Sequence, residues 1–424
     1  MADSDKYSVF YDVNLFLVVG KQGLFPIDHE DIVSFTISHQ YDTKTYPLIR
    51  LRLYSDLSLL QEMVDDPDNI RIRGSIISNV CITDDTGTPT VVRPTGVFAD
   101  IDLKVYLEYK NIATSKMDKY SVGLPRSIED SLNVNNKVPI EIFCYDDRLI
   151  HSMRDQAQAV FKGMNLQTVV KAMLDHCNVY NSKIDTFYNK QRFDQILIPN
   201  LSIIDAFSFF DTVYGLYPKG GMMYGDLDST LYISNLSSNN DTKPLPIYVG
   251  SYQNDSNQSG LMKTDAGYFM QTAFENVSVL TESDIERVLR AERITAVNVE
   301  TLESSTTDLP FYQESETQVT NDLLTKQAND NISPTLMLHK STNPYVATMS
   351  AARVNETVTR VDISGAGWDI LAIKPTTRFN LIFESPLRGV DMAAKYRPAF
   401  ANHVLTTVGH GTFTSQTTMT LCKN

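Results

Sequence analysis

The sequence predicts a mainly β protein with an α+β module, laid out as two β domains, the first suited to a barrel, flanking a small α/β domain. Three observations predict it. Tyr (21) and Phe (19) are abundant in a chain that is 42% hydrophobic and 21% charged, a globular composition that leans towards strands. Period-two runs dominate residues 1–150 and return after residue 265, while runs of helical period gather between them. At 424 residues the chain exceeds what one hydrophobic core normally organises, so separate cores are expected. The boundaries read as 1–150 for the first β domain, 151–264 for the α/β module with its loops, and 265–424 for the second β domain.

In the first domain, Tyr7 to Val19, Ile32 to Gln40, Tyr46 to Tyr54, Ile70 to Ile82 and Ala99 to Tyr109 are rich in β-branched and aromatic residues. The last run sets Ile101, Leu103, Val105, Leu107 and Tyr109 on one face and Asp102, Lys104, Tyr106 and Glu108 on the other, as in a half-buried strand. Lys21-Gln22-Gly23 and Asp84 to Pro89 supply turns. Ser55 reads as the N-cap of one short helix with Leu57, Leu60 and Val64 on one face, stopped by Asp65-Asp66-Pro67. Such a strand set with one helix suits a small barrel. Residues 111–138 are polar and irregular, a long loop excursion, and Ile140 to Tyr145 reads as a further strand.

The module begins with an amphipathic stretch from Arg154 to Phe161 and a helix carrying Leu166, Val169, Val170, Met173 and Leu174. Residues 193–235 then read as one supersecondary unit. Pro199 closes a short apolar strand, and Asn200 or Ser202 caps a helix with Ile203, Ile204, Phe207, Phe210 and Val213 at helical spacing, ended by Gly215. Short β-runs follow at Leu216–Tyr217, Met222–Tyr224 and Thr230–Ser234, with turns at Lys219-Gly220-Gly221 and Gly225-Asp226-Leu227-Asp228. From Ser237 to Gly260 the composition turns to Ser, Asn, Asp and Gly around one strand, Ile247 to Tyr252.

The C-terminal part returns to strands at Thr272–Leu280, Thr295–Val299, Val358–Ser364, Arg378–Glu384 and, as a hairpin, Val404–Leu421. Thr281 and Asp284 form a capping box for a helix through Arg293, on which Glu286 and Arg290 make an i,i+4 pair. Residues 301–335 read as an extended insertion or arm.

The unit at 193–235 resembles a segment of the tail hub (baseplate hub) proteins of contractile-tailed bacteriophages. The likeness is carried by Ile198, Pro199, Leu201, Asp205, Phe209, Asp211, Tyr214, Gly215, Leu216, Tyr217, Gly220, Gly221, Asp226 and Asp228. Two β domains around an α/β module is also the order of those hubs and of the N-terminal part of type VI secretion spike proteins. The resemblance implies two related barrels, or tube domains, per chain, so that a homotrimer presents six similar barrels in a ring. It implies a structural role in the tail or baseplate of a virion assembled in the host bacterial cytoplasm. The implied partners are further copies of the chain, tail tube proteins, the central spike and baseplate wedge proteins, with DNA passing through an acidic channel. An internal repeat is faint: Ile140-Glu141-Ile142-Phe143 against Phe379-Asn380-Leu381-Ile382-Phe383.

Charge and motifs narrow the chemistry. Net charge is −14, distributed as −8 over 1–150, −1 over 151–264 and −5 over 265–424, without basic clusters, which argues against tight nucleic-acid binding. No apolar run approaches a membrane span, and the first ten residues lack the pattern of a signal peptide, so folding in a cytoplasm is expected. Cys81, Cys144, Cys177 and Cys422 are widely spaced and read as buried thiols. The seven histidines lack HExxH or HxH spacing, and no GxSxG elbow is present. Gly365-Ala366-Gly367-Trp368 and Gly409-His410-Gly411 lack the spacing of phosphate loops and read as tight strand connections, with Trp368 as a core or turn plug. The pairs Asp65-Asp66, Asp84-Asp85 and Asp146-Asp147 suit surface turns better than a glycosidase cleft. Asp226 and Asp228 have the DxD spacing of a divalent-ion site, but beside a Gly turn they read as solvent-facing turn caps. The expectation is therefore a non-enzymatic protein with no catalytic residue, cofactor or metal site. Two alternatives stand beside it: a carbohydrate-binding tail or adhesion protein in which Tyr217 and Tyr224 stack on sugars, and a hydrolase using Asp226 and Asp228.

Overall fold

A computed structural model describes residues 6–20, 23–41, 45–56, 59, 63, 69–83, 89–106, 137–179, 181–217, 221–235, 244–250, 261–264, 267–273, 277–280, 293–298, 304–308, 335–339, 360–383, 393–409 and 411–423. The first strands are β1 (Lys6–Val19), β2 (Gly23–Ile27), β3 (Ile32–Gln40), β4 (Leu48–Asp56), β5 (Ile70–Thr83), β6 (Pro89–Tyr106) and β7 (Lys137–Tyr145). The module follows as α1 (Asp147–Arg154), β8 (Gln156–Asn165), α2 (Leu166–His176), β9 (Ser182–Ile184), β10 (Arg192–Ser202), α3 (Ile203–Val213), β11 (Gly221–Gly225) and β12 (Leu231–Asn235). The remaining strands are β13 (Leu245–Gly250), β14 (Leu261–Thr264), β15 (Gly267–Ala273), β16 (Val277–Leu280), β17 (Arg293–Asn298), β18 (Ser304–Asp308), β19 (Thr335–His339), β20 (Arg360–Ala366), β21 (Phe379–Phe383), β22 (Tyr396–Gly409) and β23 (Thr412–Lys423).

Eight strands close a barrel in the order β1-β5-β6-β7-β4-β3-β22-β23 and back to β1, every neighbour antiparallel. Alternation along each strand dictates its inner face. Val9, Tyr11, Val13, Leu15, Leu17 and Val19 of β1 are buried, as are Ile101, Leu103 and Val105, the apolar face expected of β6. Charged residues between them point outward and pair across strands: Arg71 lies 2.6 Å from Asp102 and 2.7 Å from Asp147, and Glu141 of β7 bridges Arg50 and Arg52 of β4.

The mainly β architecture with few helices agrees with the sequence, and the strand pairing adds a feature the sequence conceals. The hairpin β22–β23, from the far end of the chain, supplies two of the eight barrel strands, so one sheet runs across the boundaries drawn at 150 and 265. The same hairpin carries a second strand group. β22 leads through β21, β13, β15 and β14 back to the start of β1, while β23 leads to β20 and β16. A separate sheet is formed by β18-β17-β19, so residues 304–308, read as part of an arm, are a strand.

Trp368, fully buried, plugs the seam between the two strand groups. Its carbonyl accepts from Tyr11 Oη of β1 and, at 2.9 Å, from Ser415 Oγ of β23, while Tyr11 Oη accepts from Ile370 N at 2.9 Å. A Cβ on Gly365 would fall 2.3 Å from the indole, so only glycine leaves the ring its place.

Several local expectations are corrected. Ser55 is no helix cap but a residue of β4; Leu59 and Met63 are helical one turn further on, and the rest of that predicted helix lies outside the described residues. Pro199 does not close its strand: β10 runs on to Ser202 across a register shift between Ile198 and Leu201, where Asn200 has φ 30°. Leu216 and Tyr217 are buried but not in a strand. The loop at 111–136, the capping-box helix at 281–292 with Glu286 and Arg290, and residues 309–334 lie outside the described residues.

The barrel turns tightly at Gly74 of β5, where an added Cβ would lie 1.9 Å from the Asn14 carbonyl oxygen of β1. Gly74→Ala forces two hydrogen-bonded strands apart and is expected to destabilise the protein by about 1–3 kcal/mol or more. A drop in the thermal unfolding midpoint checks this, and an unchanged midpoint would refute the close approach.

Candidate functional site

Of the residues read from the sequence as candidate chemistry, Asp226, Asp228 and Tyr224 meet at the junction between barrel and module. The module has its own core, in which Leu166, Val169, Val170, Met173 and Leu174 of α2 pack with Ile203, Ala206, Phe207 and Phe210 of α3. Each helix is started by a side chain: Asp146 accepts from Leu149 N at 3.0 Å, Asn165 from Thr168 N at 2.9 Å, and Ser202 from Asp205 N at 3.1 Å, the last as the sequence predicts. Gly215, at φ 74°, ends α3 as expected. β11 and β12 form a hairpin with β9 parallel to β12, and this hairpin presents its Asp226-Leu227-Asp228 turn to the barrel.

The turn does not face solvent as the sequence reading held. Asp226 is only 3% exposed, and the cation beside it is Lys374, whose Nζ donates to Asp226 Oδ2 at 2.8 Å and to Asp228 Oδ2 at 3.4 Å. Asp226 Oδ1 accepts from Leu227 N at 2.8 Å. Burial pushes the Asp226 carboxyl up from the usual carboxylate range, and the Lys374 ammonium draws it back. Burial also works against the Lys374 charge, but Asp226 and Asp228 outweigh it and hold the ammonium well above its ordinary value. A DxD pair that shares a lysine is a buried ion pair between the module and the segment joining β20 to β21.

Around this pair lies an aromatic cluster. Tyr224 of β11 shares a 2.9 Å hydrogen bond with His39 Nδ1 of β3, and its ring sits 4.7 Å from that of Tyr41. His39 stacks on Tyr41 at 5.2 Å and meets His403 of β22 edge-on at 5.6 Å, while His403 Nδ1 pairs with Thr417 Oγ1 at 3.0 Å. Burial, with Lys374 nearby, lowers the His39 imidazole to about 3, and burial with His39 lowers that of His403 well below its ordinary value. Both rings are neutral at physiological pH. Gly225 N donates to Thr45 O at 2.8 Å, and Arg378 Nη2 donates to Asn235 O at 3.2 Å, tying further points of the module to the barrel.

The remaining candidates are accounted for. Tyr217 and Tyr224 are buried, so neither can stack on a sugar: Tyr217 Oη donates to Asp185 O at 2.8 Å, and Tyr224 belongs to the junction. Asp146 caps α1 and Asp147 pairs with Arg71; Asp65-Asp66 and Asp84-Asp85 lie outside the described residues. Gly409 and Gly411 flank the hairpin turn between β22 and β23. All four cysteines are buried and free, and among the described residues no group of His, Cys, Asp and Glu is placed to hold a metal. Sequence reasoning missed Lys374, Tyr41, His39 and His403. No spacing rule reaches them, since Lys374 follows Asp226 by 148 positions.

Two outcomes test the junction. Lys374→Met leaves Asp226 buried without its counter-charge and is expected to cost about 3–5 kcal/mol, most of it recovered by adding Asp226→Asn; a double-mutant cycle in denaturant measures the coupling. His39 excludes its proton in the folded state and takes it up when unfolded. Its contribution is therefore complete above pH about 6.5 and is lost as pH falls towards about 3. Unfolding midpoints across that window should fall more steeply for the wild type than for His39→Gln.

The model of the family described as Bacteriophage PBS1 gene 109 protein matches residues 7–389. No curated protein matches the sequence. Among solved structures, the tail protein from Neisseria meningitidis MC58 superposes with a TM-score of 0.51 at 11% identity, covering 99% of this chain and 97% of that one. The prophage MuSo2 43 kDa tail protein from Shewanella oneidensis gives 0.47 at 9% identity, covering 96% of both chains. The Francisella PdpA-VgrG complex gives 0.44 at 10% identity, over 100% of this chain and 53% of that one. With a family model spanning residues 7–389, the chain belongs to the Bacteriophage PBS1 gene 109 protein family, and it shares its fold with the Neisseria tail protein.

Proposed function

We propose that this protein is the central hub of a phage tail or baseplate: a homotrimeric, pseudo-sixfold ring that joins the tail tube to the spike and lines the DNA channel. One observation carries the reading. The hairpin β22–β23 belongs to two barrel-like strand groups at once, so each chain offers two side-by-side barrel surfaces. Three such chains in a closed ring give six, which matches a threefold spike to a sixfold tube. In this reading residues 1–150 and 265–424 build the ring, and the α/β module and loops of residues 151–264 contact neighbouring hub or wedge proteins. The role is geometric and non-enzymatic, and its place is the virion tail after assembly in the bacterial cytoplasm. The net charge of −14 supports passage of DNA without retention, since a polyanion is repelled by an acidic wall. Burial of Tyr217 and Tyr224 and the engagement of Asp226 and Asp228 by Lys374 disfavour the sugar-binding and hydrolase readings.

Native mass measurement and negative-stain imaging of the full chain, alone and with its spike, test the proposal. A three-copy ring with six density lobes around a channel is expected. A monomer in both conditions would overturn it.

A further inference from the structure

The β11–β12 hairpin belongs to two cores at once. Met222, Tyr224 and Leu227 pack with the barrel interior, while Met223, Leu231 and Ile233 pack with the residues of α2 and α3. The hairpin is therefore a wall shared by barrel and module, and the barrel surface it covers is not wholly apolar. His39 follows Phe35 and Ile37 on the inward side of β3, and His403 lies between Ala401 and Leu405 on that of β22. Both histidines are buried, and His403 Nε2 finds no partner among the described residues.

The groups facing His39 are the Tyr224 hydroxyl of β11, the Tyr41 ring at the end of β3, His403 of β22 and the Lys374 ammonium of the connector to β21. His403 faces His39 and the Thr417 hydroxyl of β23. Asp226, the buried carboxylate of this cluster, is engaged by Lys374. A proton on either ring would add a positive charge beside an ammonium or a second imidazole, out of reach of water, so only the neutral rings fit beneath the hairpin. Lifting the hairpin hydrates both. The module can move as a body, because the buried residues of α2 are all apolar and belong to its own core.

We infer that the β11–β12 hairpin is an acid-released cover: lifting it off the barrel wall lets His39 and His403 take up protons, so acidification opens the seam while barrel and module keep their folds. Both imidazoles are lowered in the closed form, His39 to about 3. The closed form is thus fully favoured above pH about 6.5 and loses ground as pH falls below it. Asp226 acts in the other direction, since burial raises its carboxyl and Lys374 draws it back; one group opposes two. A single chain suffices for this device, with or without the ring.

The Gly225 amide reports the seam, since it donates across it to Thr45 O at 2.8 Å, and the amides within α2 report the fold of the module. Hydrogen exchange is measured on the full chain from about pH 8 to about pH 5 and corrected for the intrinsic rate. Gly225 is expected to lose protection on acidification while α2 keeps its own. Each imidazole contributes about 30-fold over that range, so His39→Gln and His403→Gln should each remove about that factor from the change at Gly225. Wild-type protection at Gly225 that ignores pH, or that falls only together with α2, would overturn the cover, as would variants that keep the full wild-type change. The wild-type arm decides even where a variant fails to fold.

Discussion

An open β-sheet leaves a row of unpaired N–H and C=O groups on each edge, and in this chain one hairpin answers that constraint for the whole barrel. β22 covers the edge of β3 and β23 covers the edge of β1. Because the hairpin carries a second strand group on its outer side, closing the first barrel also fixes where β20 and β21 sit. Tyr11, Trp368 and Ser415 lock that arrangement with hydrogen bonds to a carbonyl that would otherwise be buried and unpaired. The segment leaving Trp368 then delivers Lys374 to the module.

The junction is built from groups that are costly to bury singly. A carboxylate and two neutral imidazoles are removed from water beside a partly buried ammonium, and each is tolerated because the others are in place. Replacing the set by apolar side chains could preserve adhesion, but it would remove the directional demand that Asp226 meet Lys374 and that Tyr224 meet His39. Direction matters for a module that must sit at one angle on a barrel. Apolar contacts such as those of Met222 and Leu227 adhere without choosing an orientation.

Much of the fold was legible in the residues. Period-two alternation placed β1, β3, β5 and the buried face of β6, because a strand with one wet side must alternate. Helical spacing and Ser202 placed α3, and the spacing of Leu166 to Leu174 placed α2. The barrel partners were not legible, since pairing between Phe10 and Thr414 depends on the closure of a sheet and leaves no local trace. The DxD turn shows the same limit: its spacing announces two carboxylates that want a cation, while the cation that answers comes from a distant connector. Ser55 and Pro199 misled because local propensity yielded to ladder hydrogen bonds that continued the strands.

Tyr11 and Trp368 are 357 positions apart, and the two strands that finish the barrel come later still. During synthesis the early strands must therefore wait, with β1 and β3 lacking one neighbour each, until the hairpin arrives. A chain stopped anywhere before it cannot complete its barrel and presents sticky strand edges instead of a finished wall. The late hairpin thus sets the moment of closure: however early the other six strands form, the wall stays open until β22 and β23 have been made.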